Sequence, residues 1–211
     1  MARLGDISTI QSGFARRRQY PPEAVPNGIP LLRPPDINAD GEINEAPQCL
    51  VAVPEATTLE RYRLEAGDIL CIRTGRPGTS AVVTERQDGW IYSETLFRIR
   101  AGAGIDPAYL AHYLASPAAL HRLGRLTHQS TGIQNITGRN LAELLVPLPE
   151  PEEQRNIVEI MAAVNEKIAA HRRIVETATE LRTTLATHLF LAGEAVETSG
   201  GPRSPGTPPR S

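Results

Sequence analysis

Cysteine, lysine, aromatic side chains and long apolar runs are all scarce in this 211-residue chain. Its two cysteines, Cys49 and Cys71, belong to no CxxC pair and no Cys/His cluster, which argues against a structural zinc site or other metal centre. Reduced, buried thiols are the expectation. No run of 18 or more apolar residues occurs, and the N-terminus MARLGDIST lacks the apolar core of a signal peptide. A soluble, cytoplasmic protein without a membrane partner is therefore expected. Also missing are a GxGxxG fingerprint, a GxxxxGK[ST] phosphate loop, HExxH and GxSxG. The chain is thus not expected to be an enzyme or to hold a cofactor of its own. Among 22 basic residues Lys167 is the only lysine, and arginine is the side chain suited to forked contacts with phosphate and guanine. The net charge of -2 speaks against an indiscriminate polycation.

What is present divides the chain by texture. Residues 1–148 begin with short apolar runs broken by Gly, Pro and Asp: GIPLLRPPDI, CLVAVP, GDILCIRTG, SAVVTE, GWIYSETLFRIRAG. These predict short strands and turns packed as a half-open or barrel-like sheet, with alternation clearest in Asp68 to Thr74 and Glu94 to Ile99. Asp106 before Pro107 and Ser116 before Pro117 predict two short helices in succession, because an N-cap followed by proline starts a helix. A polar loop, HQSTGIQNITGRN, follows, with Thr137 as a further N-cap. The tail 193–211 is almost devoid of apolar residues and is expected to be disordered.

Residues 149–192 read as one long helix, with Pro149 and Pro151 at its start and no Pro or Gly from Glu152 to Ala192. Apolar or small residues recur at steps of four and three: Ile157, Met161, Val164, Ile168, His171, Val175, Ala178, then Leu181, Leu185 and Leu189 after a register slip. That is the coiled-coil period, and a helix of roughly 50 Å with such a seam calls for a partner helix. The fold class expected is α+β: a mostly β domain with short helices, followed by a long coiled-coil-forming helix. Glu152 and Glu153 suit the positive end of that helix. Gln154 and Arg155 are available there as contacts for a partner subunit.

The order LGDISTIQSG, IPLLRPPDI, LEAGDILCIRTGRPG and TGIQNITGRNLAELLVPLPEPEEQRNIVEIM resembles the target recognition domain and following conserved helix of type I restriction-modification specificity subunits. The resemblance spans residues 4–190, and the PLPEPEEQRNI junction is its most specific part. It implies a non-catalytic subunit that reads double-stranded DNA. It further implies docking to methyltransferase subunits, which carry the S-adenosylmethionine, and in some systems to a restriction translocase subunit. The usual subunit has two recognition domains and two helices, whereas this chain has room for one of each. A homodimer with paired helices would rebuild the set, each domain reading one half-site of a bipartite, interrupted palindrome, with the helices setting the spacer and the PLPEPEEQ junction serving as a hinge. RPPDI superficially resembles an adenine methyltransferase motif but lacks its flanking residues; a rigid strand-entry turn explains it better. The alternative function is a non-catalytic interaction module or decoy within a defence system.

Under this resemblance the candidate DNA contacts are Arg16, Arg17 and Arg18 in SGFARRRQY; Arg33 in RPPDI; Arg73 and Arg76 in RTGRPGT; and His128, Gln129, Ser130, Gln134, Asn135 and Arg139 in the polar loop. Arginines set position on phosphates, and amides or arginines reach base edges. Gln134 and Asn135 match a stretch that recurs in the family, which implies structure or phosphate contact more than target choice. Arg98 and Arg100 share one strand face, equally suited to solvent or to DNA.

Overall fold

The computed structural model describes residues 1–15, 28–38, 40–47, 49–51, 59–126, 128–130 and 133–197; for 128–130, 133–134 and 191–197 it gives the backbone path alone. The elements begin β1 (Ala2–Arg3), α1 (Leu4–Ile7), β2 (Ser8–Ser12), β3 (Ile29–Leu32), β4 (Leu50–Val51), β5 (Ile69–Ile72), β6 (Ser80–Val82), β7 (Ile91–Tyr92) and β8 (Leu96–Ala101). They continue with α2 (Pro107–Ala115), α3 (Pro117–Leu126), β9 (His128–Ser130), β10 (Ile133–Asn135), α4 (Gly138–Ala142), β11 (Leu145–Val146) and α5 (Pro151–Glu197). The class is the expected α+β. Among the described residues the strands do not close into one barrel. They form a four-stranded antiparallel sheet, β2-β8-β5-β6, and a three-stranded sheet, β4-β3-β7, with β3 and β7 parallel.

Strand alternation shows why two sheets suffice for three cores. In β5 all four residues are buried: Ile69 and Cys71 join the core beneath the helices, while Leu70 and Ile72 join a second core with Leu32 and Tyr92 of the other sheet. The period of two sends successive side chains to opposite faces, so one strand serves two layers. In β3 and β7 the same rule puts Leu31 and Ile91 into a third cluster with Cys49, Val51 and Leu59. Both cysteines are buried and unbonded to each other.

The helices start where their caps predict. Asp106 Oδ1 accepts from the amides of Ala108 and Tyr109 at 2.8 and 3.1 Å, and Pro107 occupies the first turn of α2, where its missing N–H costs nothing. Ser116 ends α2 and accepts from Ala119 at the start of α3. Thr137 caps α4 through the Asn140 amide. Leu110, Leu114, Leu123 and Leu141 from these helices fill the core on the main sheet. RPPDI lies after β3 rather than before it, so it is a strand-exit turn. Pro34–Asp36 form one 3₁₀ turn, closed by the buried Asp36 carboxylate accepting from the Arg33 amide at 2.9 Å.

The predicted polar loop is instead a hairpin, β9 pairing antiparallel with β10. Its polar residues gave no apolar alternation to signal strands, and the pairing comes from backbone bonds. The long helix runs 47 residues, continuing to Glu197 past the expected boundary at 192; residues 198–211 lie outside the described ones. The chain divides into two compact units, Met1–Met161 and Ala162–Ser211. In the first, Ile157 and Val158 pack against the core under the helices. In the second, Val164, Ile168, Val175, Leu181, Leu185 and Leu189 are exposed. His171 is exposed too, its ring bonded to the Lys167 carbonyl. No helix among the described residues is long and apolar enough to cross a membrane.

Candidate nucleic-acid interface

Three segments that the sequence marks separately as DNA contacts are tied together in the fold. The centre is the loop Arg73–Thr79 between β5 and β6. On one side Arg76 Nη2 donates to the carbonyl of Ile37 at 2.7 Å, and at 3.4 Å to that of Pro34. This fastens the loop to the RPPDI turn that carries Arg33. On the other side Asn135 Oδ1 accepts from Arg73 Nε and Thr74 Oγ1, each at 3.3 Å, and Thr74 and Asn135 form a bridge. The Ile136 amide adds a bond to the Arg73 carbonyl at 3.0 Å. The hairpin and the loop are therefore one unit.

Local chemistry explains the loop's shape. Gly75 and Gly78 have φ of 91° and 93°, a conformation that side chains disfavour. A Cβ on Gly78 would also lie 2.8 Å from Leu120 Cδ2, the end of a side chain that would have to shift, so the positive φ is the stronger reason for glycine here. Gly75 is open and exposed beside the exposed Arg76, which leaves the loop tip accessible. Arg73 is partly buried, its guanidinium 5.6 Å from the Phe97 ring centre, a cation–π distance. Arg139 stands exposed in α4, just after the hairpin. Asn135, expected to serve structure or phosphate contact more than target choice, has its carbonyl oxygen committed to Arg73 and Thr74.

The remaining candidates fall elsewhere. Arg16, Arg17 and Arg18 lie outside the described residues, and for His128, Gln129, Ser130 and Gln134 only the strand pairing is described. Arg98 and Arg100 are used internally, as neither a solvated nor a DNA face: Arg98 donates to the Arg63 carbonyl and to Gln11 Oε1 at 2.9 and 2.6 Å. Arg100 grips Asp68 in a fork at 2.7 and 2.9 Å and reaches Glu65. The Asp68 side chain is 1% exposed, and its hydrogen bonds raise the Arg100 pKa further. The missed signal was Asp68 itself, an acid directly preceding four apolar residues and, when the β5–β8 register is continued by one residue, opposite Arg100. Gln154, expected to face a partner, is buried and bonded within the chain.

Among the described residues no group of acidic, Cys and His side chains could hold a metal. Burial pushes the Cys71 thiol up to about 11, which keeps it protonated and unreactive.

The comparisons fit this picture. The family model for the type I restriction modification DNA specificity domain matches residues 1–180. The specificity subunit of the type I restriction enzyme EcoKI of Escherichia coli K12 is 26% identical over 136 residues, 62% of this chain and 29% of that protein. Three solved structures share the fold. A chain from a type I R-M system, solved for its complex assembly and conformational transition, matches with TM-score 0.64 and 24% identity, over 87% of this chain and 42% of its own. The HsdS subunit from Thermoanaerobacter tengcongensis matches with TM-score 0.58 and 23% identity, over 82% and 38%. The S subunit from M. genitalium matches with TM-score 0.61 and 17% identity, over 92% and 46%. The chain thus spans less than half the length of these relatives. With a family model that covers most of its length, the chain belongs to the type I restriction modification DNA specificity domain family.

Proposed function

We propose that this chain is a half-length specificity subunit: a non-catalytic reader of DNA that pairs with a second copy and directs methyltransferase subunits to a bipartite target. The observation that carries the reading is the fastening of the Arg33 turn, the Arg73–Thr79 loop and the 128–139 segment to one another. Arginines on loops held by fixed hydrogen bonds can meet phosphates at a set register, and that positioning is what base reading requires. Arg76 is the principal candidate for a phosphate contact, since it fastens the loop through Nη2 alone and its side chain is otherwise exposed. Arg33, Arg73 and Arg139 flank it as phosphate contacts. Asn135 serves to orient Arg73.

The dimer rests on two observations. The match to the solved relatives covers 38–46% of their chains and includes one recognition domain and one long helix, and an apolar seam from Val164 to Leu189 is exposed. Two copies supply two recognition domains and cover both seams. A two-fold axis makes the half-sites inverted repeats. The partner methyltransferase would supply S-adenosylmethionine and the chemistry, and a restriction subunit joins where the system has one.

Single-molecule methylome sequencing of cells carrying the chain with its methyltransferase tests this. A palindromic bipartite motif is expected. An asymmetric motif would refute the dimer, and methylation that does not depend on the chain would refute the reading as a whole.

A further inference from the structure

Among the described residues of α5, Gln154 alone is fully buried, at 1% exposure. Its side-chain amide is saturated. Nε2 donates to the carbonyls of Gly104 at 3.1 Å and Pro149 at 2.9 Å, and Oε1 accepts from the amide of Asp106 at 2.8 Å. One side chain in the first turn of the helix thus holds the loop that caps α2 and the linker that enters α5. A buried primary amide needs both donors and its acceptor satisfied, and no other neutral side chain of this length offers two donors and an acceptor in one plane.

The linker is fixed from other sides as well. Tyr109 Oη donates to the Pro147 carbonyl at 3.1 Å, and Tyr113 Oη and Arg122 Nη1 both donate to that of Leu145, at 2.7 and 2.9 Å. β1 pairs with β11 just before it, and Ile157 and Val158 pack on the core one turn after Gln154. A junction that the sequence suggests is a hinge is bolted. We infer that Gln154 is a positioning residue: its amide pins the linker and the first turns of the long helix to the loop that caps α2, and that pin keeps the spacing of the half-sites single. The second clause rests on the proposed DNA-reading function; the first does not.

The test uses the full chain and the near-isosteric variant Gln154→Glu. Glutamate retains the acceptor for Asp106 but sets a carboxylate oxygen against two carbonyls; Gln154→Met serves as a second variant that removes the amide without adding charge. Both native cysteines are buried, so spin labels can be placed at Asp88→Cys and Glu159→Cys, both exposed. With labelled chains diluted in an excess of unlabelled ones, so that only pairs within one chain contribute, electron–electron resonance should give one narrow distance for the parent and loss of that single distance, as a broadened distribution, in both variants. Equally narrow distributions in a folded variant would overturn the pin. In cells with the methyltransferase, the variants should keep the half-site sequences and methylate targets with spacers one base pair longer or shorter. A broadened distance with an unchanged single spacer would overturn the link to half-site spacing. A parent that yields no bipartite motif would instead refute the DNA-reading function and leave the pin to be judged by the distances alone.

Discussion

Removing the charge of Arg76 should lower the salt dependence of DNA binding by one phosphate. Each neutralised phosphate contributes about 0.9 to the slope of log affinity against log salt. Four arginines, Arg33, Arg73, Arg76 and Arg139, sit on the linked segments, which gives a slope of about 3.6 per domain if each meets one phosphate. Between 50 and 200 mM salt that corresponds to roughly a 150-fold loss of affinity, and to roughly a 40-fold loss in Arg76→Gln. The ratio is about 3.5-fold per domain, and about 12-fold for an assembled complex holding two copies, whatever the other subunits add, so the measurement can be made on that complex. Fluorescence anisotropy with a duplex carrying the methylated motif is the assay. Arg76→Lys keeps the charge and should keep the slope. Its shorter side chain does not extend as far as the single Nη2 that donates to both the Ile37 and Pro34 carbonyls, so the loop is less well fastened and the affinity should fall at every salt concentration. Arg86→Gln, which removes a surface arginine paired with Glu45, should leave the slope alone. An unchanged slope in Arg76→Gln, with normal thermal stability, would refute the placing of this loop against DNA.

Other outcomes follow from the packing. Asp68→Asn should cost about 2–3 kcal/mol in urea unfolding, because it strips a charge partner from Arg100. The figure lies below that for a wholly buried pair, since Arg100 is 35% exposed and keeps Glu65. A loss under about 0.5 kcal/mol would show the fork to be a surface pair in effect. Burial penalises the Cys71 thiolate and pushes the thiol up to about 11 from its ordinary value of 9.0. The folded state then holds its proton where the unfolded state has released it. Stability should therefore fall between about pH 9 and 11, by up to about 1.4 kcal/mol per pH unit, and Cys71→Ala should flatten that slope in denaturant titrations. Ile168→Asp or Val175→Asp, at exposed seam positions, should shift sedimentation to the monomer without lowering the melting temperature of the recognition domain. A dimer persisting in both would exclude the seam.

Sequence alone determined the elements whose signals are local. Asp106, Ser116 and Thr137 announce their helices because a cap acts within three residues of itself, and an unbroken helical stretch needs only its own composition. Alternation in GDILCIRTG marks a strand for the same reason. The pattern does not say that Ile69 and Leu70 serve different cores, since that depends on which sheet lies opposite. Tertiary structure decided the rest. Arg98 and Arg100 read as equally suited to solvent or DNA until Gln11 and Asp68, each more than thirty residues away, are brought against Arg98 and Arg100 respectively. The HQSTGIQNIT hairpin has no apolar period to reveal it and is held by backbone pairing and by Arg73. Gln154 reads as a surface residue on a helix start until Gly104 and Asp106, some fifty residues earlier, supply its partners. In each case the deciding contact is between residues far apart in the chain, and polar side chains give no sign in sequence of whether water or a distant backbone group will satisfy them.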